Sequence, residues 1–210
     1  MVNHTLIKEL QTNHPNVTIV MASKYIEVKD YQPFIDAGIK DFGESRVESF
    51  IEKYPSLKAY PITHHFLGTL QTKKVKKCIN EIDCLHSLDR LKLAKEIQKR
   101  RDKPLPCFIQ VNISNEGQKH GITPTRVPGF LEELKAYDNI KVIGLMGMAE
   151  LTDDRDQIAD QFDTLKQLLT HLKKAYPEIK YLSMGMTNDY PIALEKGATH
   201  LRLGRVLLGG

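Results

Sequence analysis

The feature that most constrains this chain is an alternation: short β-branched runs and longer amphipathic stretches follow one another eight times. The runs are Val17–Ser23 (VTIVMAS), Lys40–Gly43, His64–Leu67, Cys84–Ser87, Cys107–Ile113 (CFIQVNI), Val142–Met148, Lys180–Ser183 and His200–Leu203. Helical patterns are expected over Tyr31–Ala37, Ser45–Tyr54, Gln71–Ile79, Asp89–Arg101, Thr125–Tyr137, Asp154–Ala175 and Asp189–Glu195. In the longest of these, Ile158, Phe162, Leu165, Leu168, Leu169 and Leu172 recur at the spacing of one helix face. Ser87 is a candidate N-cap for the fourth, and Asp153-Asp154 beside Arg155 reads as a capping and surface-charge feature. A helical crossover returns the chain to the same end of a sheet, so strands joined this way are parallel. Eight such units close naturally into a (β/α)8 TIM barrel, whereas the competing doubly wound open sheet typically uses fewer strands. With no Ser/Gly-rich linker, composition break or internal repeat, residues 1–210 are expected to form one domain.

Composition agrees with a packed globular protein, at 41% apolar and 27% charged residues. Thirty Lys and Arg against 26 Asp and Glu give a net charge of +4, mixed along most of the chain. That is not the basic stripe of a nucleic-acid-binding protein. The cluster Lys73, Lys74, Lys76 and Lys77 reads as a solvated helix face, with few aromatics nearby to stack bases. The three cysteines, Cys78, Cys84 and Cys107, cannot all pair internally and show no C-x-x-C spacing, so reduced, inert thiols in a cytoplasmic protein are expected. No run approaches the ~18 apolar residues of a membrane span, and MVNHTLIKEL has no signal-like apolar region. His64 and His65 point to opposite faces of a strand and have no third ligand at suitable spacing, so no metal site is expected.

In a parallel barrel the ligand site lies at the C-terminal ends of the strands. The residues there are Lys24, Glu44-Ser45-Arg46, Gly68, Asn112, Met146, Ser183 to Thr187, and Arg202-Leu203-Gly204. Lys24 directly follows an apolar strand, so its stem is expected to pack in the barrel mouth. A desolvated lysine becomes an amine nucleophile that condenses with a carbonyl. The alternative is a lysine that snorkels outward or pairs with Glu44. The glycine-containing loops after strands seven and eight suit a phosphate cradle. Together these suggest a phosphorylated aldehyde as ligand. Met146, Met148, Met184 and Met186 recur at period two and are expected to pack the barrel, with Met186 lining the ligand pocket.

These residues occur in longer segments: MASK (21–24), FGESRVE (42–48), HHFLGTLQTKKVK (64–76), HSLDR (86–90), QVNISNEGQKHG (110–121), GLMGM (144–148), LSMGMTND (182–189) and LRLGRVLLGG (201–210). In order and spacing they resemble the pyridoxal phosphate homeostasis protein family. The resemblance implies a barrel similar to the N-terminal domain of alanine racemase, binding pyridoxal 5'-phosphate (PLP) as an internal aldimine. By position, Lys24 then carries the aldimine. Ser183 and the Gly204-Arg205 backbone hold the phosphate with Thr187 beside them, Arg202 faces the pyridine nitrogen, and Lys119 stands near the cofactor entrance. Three positions depart from the family pattern. Ser45 replaces the Asn of a Gly-Glu-Asn motif, Arg205 replaces a Thr or Ser, and the segment before the first strand is short, which implies a truncated N-terminal helix.

A cationic Arg at the ring nitrogen keeps that nitrogen unprotonated and the ring a weak electron sink. A racemase also needs a base on each face of its substrate, and Lys24 is the obvious single candidate. The expectation is a monomeric PLP carrier or buffer with little turnover, serving PLP-dependent apo-enzymes, without nucleic-acid or membrane partners. The alternative is a PLP-dependent, racemase-like enzyme.

Overall fold

The computed structural model describes residues 1–114 and 120–209. Eight parallel strands form a closed barrel in chain order: β1 Thr18–Ala22, β2 Asp41–Glu44, β3 Thr63–Phe66, β4 Cys84–Leu88, β5 Leu105–Gln110, β6 Ile140–Met146, β7 Tyr181–Ser183 and β8 His200–Leu203. Closure comes from β1 and β8, where Thr18 to Met21 run in register beside His200 to Leu203. That pairing excludes the open doubly wound sheet. Around the barrel lie α1 His4–Asn13, α2 Tyr31–Asp36, α3 Val47–Leu57, α4 Leu91–Arg100, α5 Val127–Leu134, α6 Arg155–Leu172 and α7 Tyr190–Glu195.

The core follows from strand alternation. Outward-facing residues such as Met21, Phe66, Leu85, Ile109, Leu145, Leu201 and Leu203 are buried against the helices in one continuous apolar layer. Inside the barrel is a separate small cluster of Cys84, Phe108 and Met146. Met146 and Met184 pack as expected, whereas Met148 is exposed. All three cysteines are free and buried, and burial pushes their thiols up, to about 12 for Cys78.

Five local readings need correction. The segment expected as a helix over Gln71–Ile79 forms two 3-10 turns, Thr72–Lys77 and Ile79–Glu81. Lys73, Lys74, Lys76 and Lys77 would repel at i,i+3 and i,i+4 on an α-helix, and Val75 is the sole buried residue of the first turn. Ser87 is not an N-cap: it lies within β4, and its hydroxyl donates to the Gly68 carbonyl at 2.6 Å. Strand five ends at Gln110 rather than Ile113. Strand six likewise ends at Met146 rather than Met148. The short N-terminal segment forms the ten-residue α1, capped by the Asn3 side chain and held by the buried Ile7 and Leu10. The Asp154 cap is present, its carboxylate accepting from the Asp156 and Gln157 amides. Among the described residues no helix is long and apolar enough to cross a membrane.

Candidate functional site

The C-terminal mouth of the barrel holds a cleft of about 610 Å³, within the range of small-molecule and cofactor sites. One side is built by β1. The chain leaves it through a 3-10 turn, Ser23–Tyr25, that carries Lys24. Lys24 lines the cleft but is exposed, contrary to the expectation that its stem packs inside the mouth. It extends past the strand end and places Nζ 4.8 Å from the centre of the Tyr25 ring. Hydrogen bonding from Lys24 holds the Tyr25 phenol below its ordinary value, with smaller help from the Lys24 and Arg205 charges.

Nor does Lys24 pair with Glu44. That buried carboxylate takes Lys53 of α3, 3.0 Å away, and also accepts from the Ser45 amide and the Ser49 hydroxyl. The Lys53 ammonium further donates to the Ser23 carbonyl at 2.8 Å. One buried ion pair therefore pins both the turn that carries Lys24 and the backbone of Ser45.

Ser45, Met186, Thr187, Gly204 and Arg205 line the same cleft as Lys24. Gly185 permits the turn into this rim, with φ of +94° and no room for a Cβ beside Ala193 and Leu201. At Gly204 a Cβ would sit 2.9 Å from the Tyr25 ring, so glycine lets the rim of β8 close on the Lys24 turn. Lys119 lies outside the described residues. His120, next to it, is exposed and lines the cleft.

Arg202 forms the floor. It lines the cleft while being only 6% exposed, donating to Ser183 Oγ at 2.7 Å and to the Gly147 carbonyl at 3.0 Å. Burial lowers its pKa to about 10, against the opposing charge of Asp189, so it stays cationic at neutral pH. Asp189 is itself buried, which pushes its carboxyl up.

Ser183, expected at the phosphate, is elsewhere. Its side chain is fully buried beneath Arg202, because β7 alternation turns Leu182 and Met184 outward and Ser183 into the barrel. Below it, His86 Nδ1 lies 2.9 Å from Ser183 Oγ, His86 Nε2 lies 2.9 Å from His65 Nδ1, and His65 Nε2 lies 2.9 Å from Asp41 Oδ1. His86 also stacks on Phe108. Folding thus gathers a cluster that linear spacing did not show and that leaves out His64, since the donor atoms of His65, Cys84 and His86 lie within 4.8 Å of one another. The two ring nitrogens are, however, at hydrogen-bonding distance, shorter than the about 3.3 Å that two nitrogens on one tetrahedral zinc would require. They are hydrogen-bonded to each other instead.

Of the other strand-end candidates, Asn112 and Met146 are not in the cleft lining. Gln110, Asp189 and Tyr25 take part instead. Gln110 had a readable signal, as a polar residue ending an apolar strand.

Similarity to known proteins follows the geometry. The model of the alanine racemase N-terminal domain matches residues 7–210. A pyridoxal phosphate homeostasis protein of Aquifex aeolicus is 37% identical over 192 residues, covering 90% of this chain and 84% of that one. The chain belongs to the pyridoxal phosphate homeostasis protein family. Another member, from a Synechocystis species, is 32% identical over 205 residues, covering 95% and 94% of the two chains. Synechococcus elongatus PipY, solved with PLP bound, is 27% identical with a TM-score of 0.88, covering 98% of this chain and 99% of that one. Corynebacterium glutamicum alanine racemase shares the fold at 12% identity and a TM-score of 0.80, covering 99% of this chain and 60% of that one.

The buried histidines give this barrel a pH limit. Burial depresses the pKa of His64 and, more strongly, of His86, and lowers His200 to about 4. Below about 6.5 the unfolded chain protonates these rings while the folded one does not, so the unfolded state binds more protons and stability falls with pH. Each ring contributes up to about 1.4 kcal/mol per pH unit. Urea melts at pH 7, 6 and 5 are expected to show a progressive fall in midpoint. A flat profile would mean that the rings are not held neutral.

Proposed function

We propose that this protein binds PLP in the cleft, holds it covalently through a Schiff base on Lys24, and acts as a carrier or buffer in PLP homeostasis rather than as an enzyme. The observation that carries the reading is one cofactor-sized cleft whose lining brings together a reachable amine, Lys24, a buried cation, Arg202, and the rim residues Thr187, Gly204 and Arg205. That donor set fits an anionic, aldehyde-bearing ligand. When bound, PLP supplies an electrophilic carbonyl carbon and a pyridine ring whose strength as an electron sink depends on protonation of its nitrogen. Lys24 Nζ, as the free amine, forms a C=N bond to that carbon, and the carbonyl oxygen leaves as water. Thr187, the Gly204-Arg205 backbone and the Arg205 guanidinium take the phosphate, replacing the hydroxyl that Arg205 lacks. Ser183 has no part in that cradle. Ser45 and Met186, which line the same cleft, take the ring.

Arg202 supports a carrier over a catalyst. Facing the ring nitrogen as a cation, it donates to the nitrogen lone pair, disfavours its protonation and so makes the ring a weaker electron sink, although racemases of this barrel type also carry an arginine there. The recipients are PLP-dependent apo-enzymes in the cytoplasm, and the protein acts as a monomer.

Parallel titrations with PLP and with pyridoxal, which lacks the phosphate, test the assignment. PLP is expected to produce a visible absorbance band and a borohydride-stable mass adduct, with pyridoxal binding at least about 100-fold more weakly once several charge-assisted hydrogen bonds are lost. Equal affinities would remove the phosphate site. The PLP-loaded protein, incubated with L- and D-amino acids, is expected to leave them unchanged; robust racemisation or decarboxylation would make it an enzyme.

A further inference from the structure

Parallel-barrel interiors are ordinarily filled by layers of branched apolar side chains. Here five polar side chains from five strands run through the interior in single file: Asp41 on β2, His65 on β3, His86 on β4, Ser183 on β7 and Arg202 on β8. His65, His86, Ser183 and Arg202 are buried, and His86 and Ser183 are fully so. The file begins at the N-terminal end of β2, where the Asp41 side chain is 25% exposed, and ends on the floor of the cleft.

The two ends of this file impose one proton order. Arg202 can only donate, so Ser183 Oγ accepts from Nη1 and turns its own hydrogen to His86 Nδ1. His86 then carries its proton on Nε2 and donates to His65 Nδ1, and His65 carries its proton on Nε2 and donates to Asp41. From the other end, the Asp41 carboxylate can only accept, which requires the same order. Every link is satisfied with both rings neutral, and burial favours that state for His86. An added proton on the histidine pair would make His86 Nδ1 a donor and leave the Ser183 hydrogen without its acceptor. The charged and titratable groups around the pair are Asp41, Cys84, His200 and Arg202, and the last two also oppose a proton on His86.

We propose that Ser183, His86 and His65 are positioning residues for Arg202, fixing the guanidinium so that its free N–H groups face the cleft. The inference rests on the reading of Arg202 as the partner of the PLP ring nitrogen, and it gives Ser183 a role behind the guanidinium in place of one at the phosphate. Buried neutral rings also cost less than a buried ion pair, and they transmit orientation without placing a second charge beneath Arg202.

The test has an arm that needs no PLP. Long-range 1H–15N spectra of the wild-type protein at neutral pH are expected to show His65 and His86 as neutral Nε2–H tautomers, with a slowly exchanging Arg202 Nε–H. Ser183→Ala is expected to exchange-broaden that arginine signal and to weaken PLP binding about tenfold, the loss of roughly one hydrogen bond to a charged group. The adduct on Lys24 should still form at saturating PLP, and Ser183→Thr should restore much of the affinity. An Nδ1–H tautomer on His86, or a Ser183→Ala protein with an unchanged arginine signal and unchanged PLP affinity, would overturn the proposal. Should the wild-type protein fail to bind PLP, the functional reading falls, and the tautomers with the Arg202 signal decide the positioning chain by themselves. Should Ser183→Ala not fold, the wild-type tautomers still decide it.

Discussion

Lys24→Ala is expected to abolish the borohydride-trapped adduct and the visible band and to weaken PLP binding by at least about 100-fold, since the covalent link and a cation are lost together. The fold should survive. Lys24 is exposed and packs against the neighbouring Tyr25 ring, so its removal costs no more than about 0.5 kcal/mol. Lys24→Arg separates the two contributions, because a guanidinium keeps the charge and does not condense with the aldehyde under these conditions. The arginine variant should recover part of the affinity and none of the adduct. Peptide mapping after borohydride gives the decisive reading. An adduct that persists in Lys24→Ala, at Lys119 or elsewhere, would transfer the chemistry to a different amine.

Lys53→Ala should be the more damaging substitution although Lys53 lies outside the cleft lining. Its partner Glu44 is 4% exposed, and loss of the ammonium leaves that carboxylate buried with only the Ser45 amide and neutral hydroxyls around it. Breaking one side of a buried pair costs about 3–5 kcal/mol. In a chain of this length that corresponds to a fall in Tm of roughly 10 °C. The Ser23 carbonyl also loses its donor, so the Lys24 turn loosens and PLP binding should weaken in a protein that still folds at low temperature. Lys53→Arg is expected to recover part of the stability. A Tm within 2 °C of wild type, measured by calorimetry, would count against the clamp.

Legibility differed by the kind of interaction. The eight strands, the parallel barrel and the order of its rim segments were readable because they depend on local periodicity and on the rule that helices join parallel strands. Lys24, Arg202, Gly204, Thr187, Met186 and Ser45 were placed together by applying the barrel-mouth rule to strand ends, Arg205 by the family resemblance, and the cleft lining unites them. Ser183 failed because a strand end says little about which face a residue presents. One residue of register separates the rim from the interior, and β7 sends Ser183 inward. The helix expected over Gln71–Ile79 failed because adjacent lysines outweighed a single buried valine.

Sequence alone determined the barrel, through the spacing of its apolar runs, and the amine that ends the first strand. Tertiary structure decided what stands behind the site. Lys53 reaches Glu44 and Ser23 from a helix, and Asp41, His65, His86, Ser183 and Arg202 are linked in one file from five strands spread over residues 41 to 202. Such contacts have no period along the chain. They exist because closing the sheet brings distant strands within hydrogen-bond reach in an interior where each polar group must find a partner.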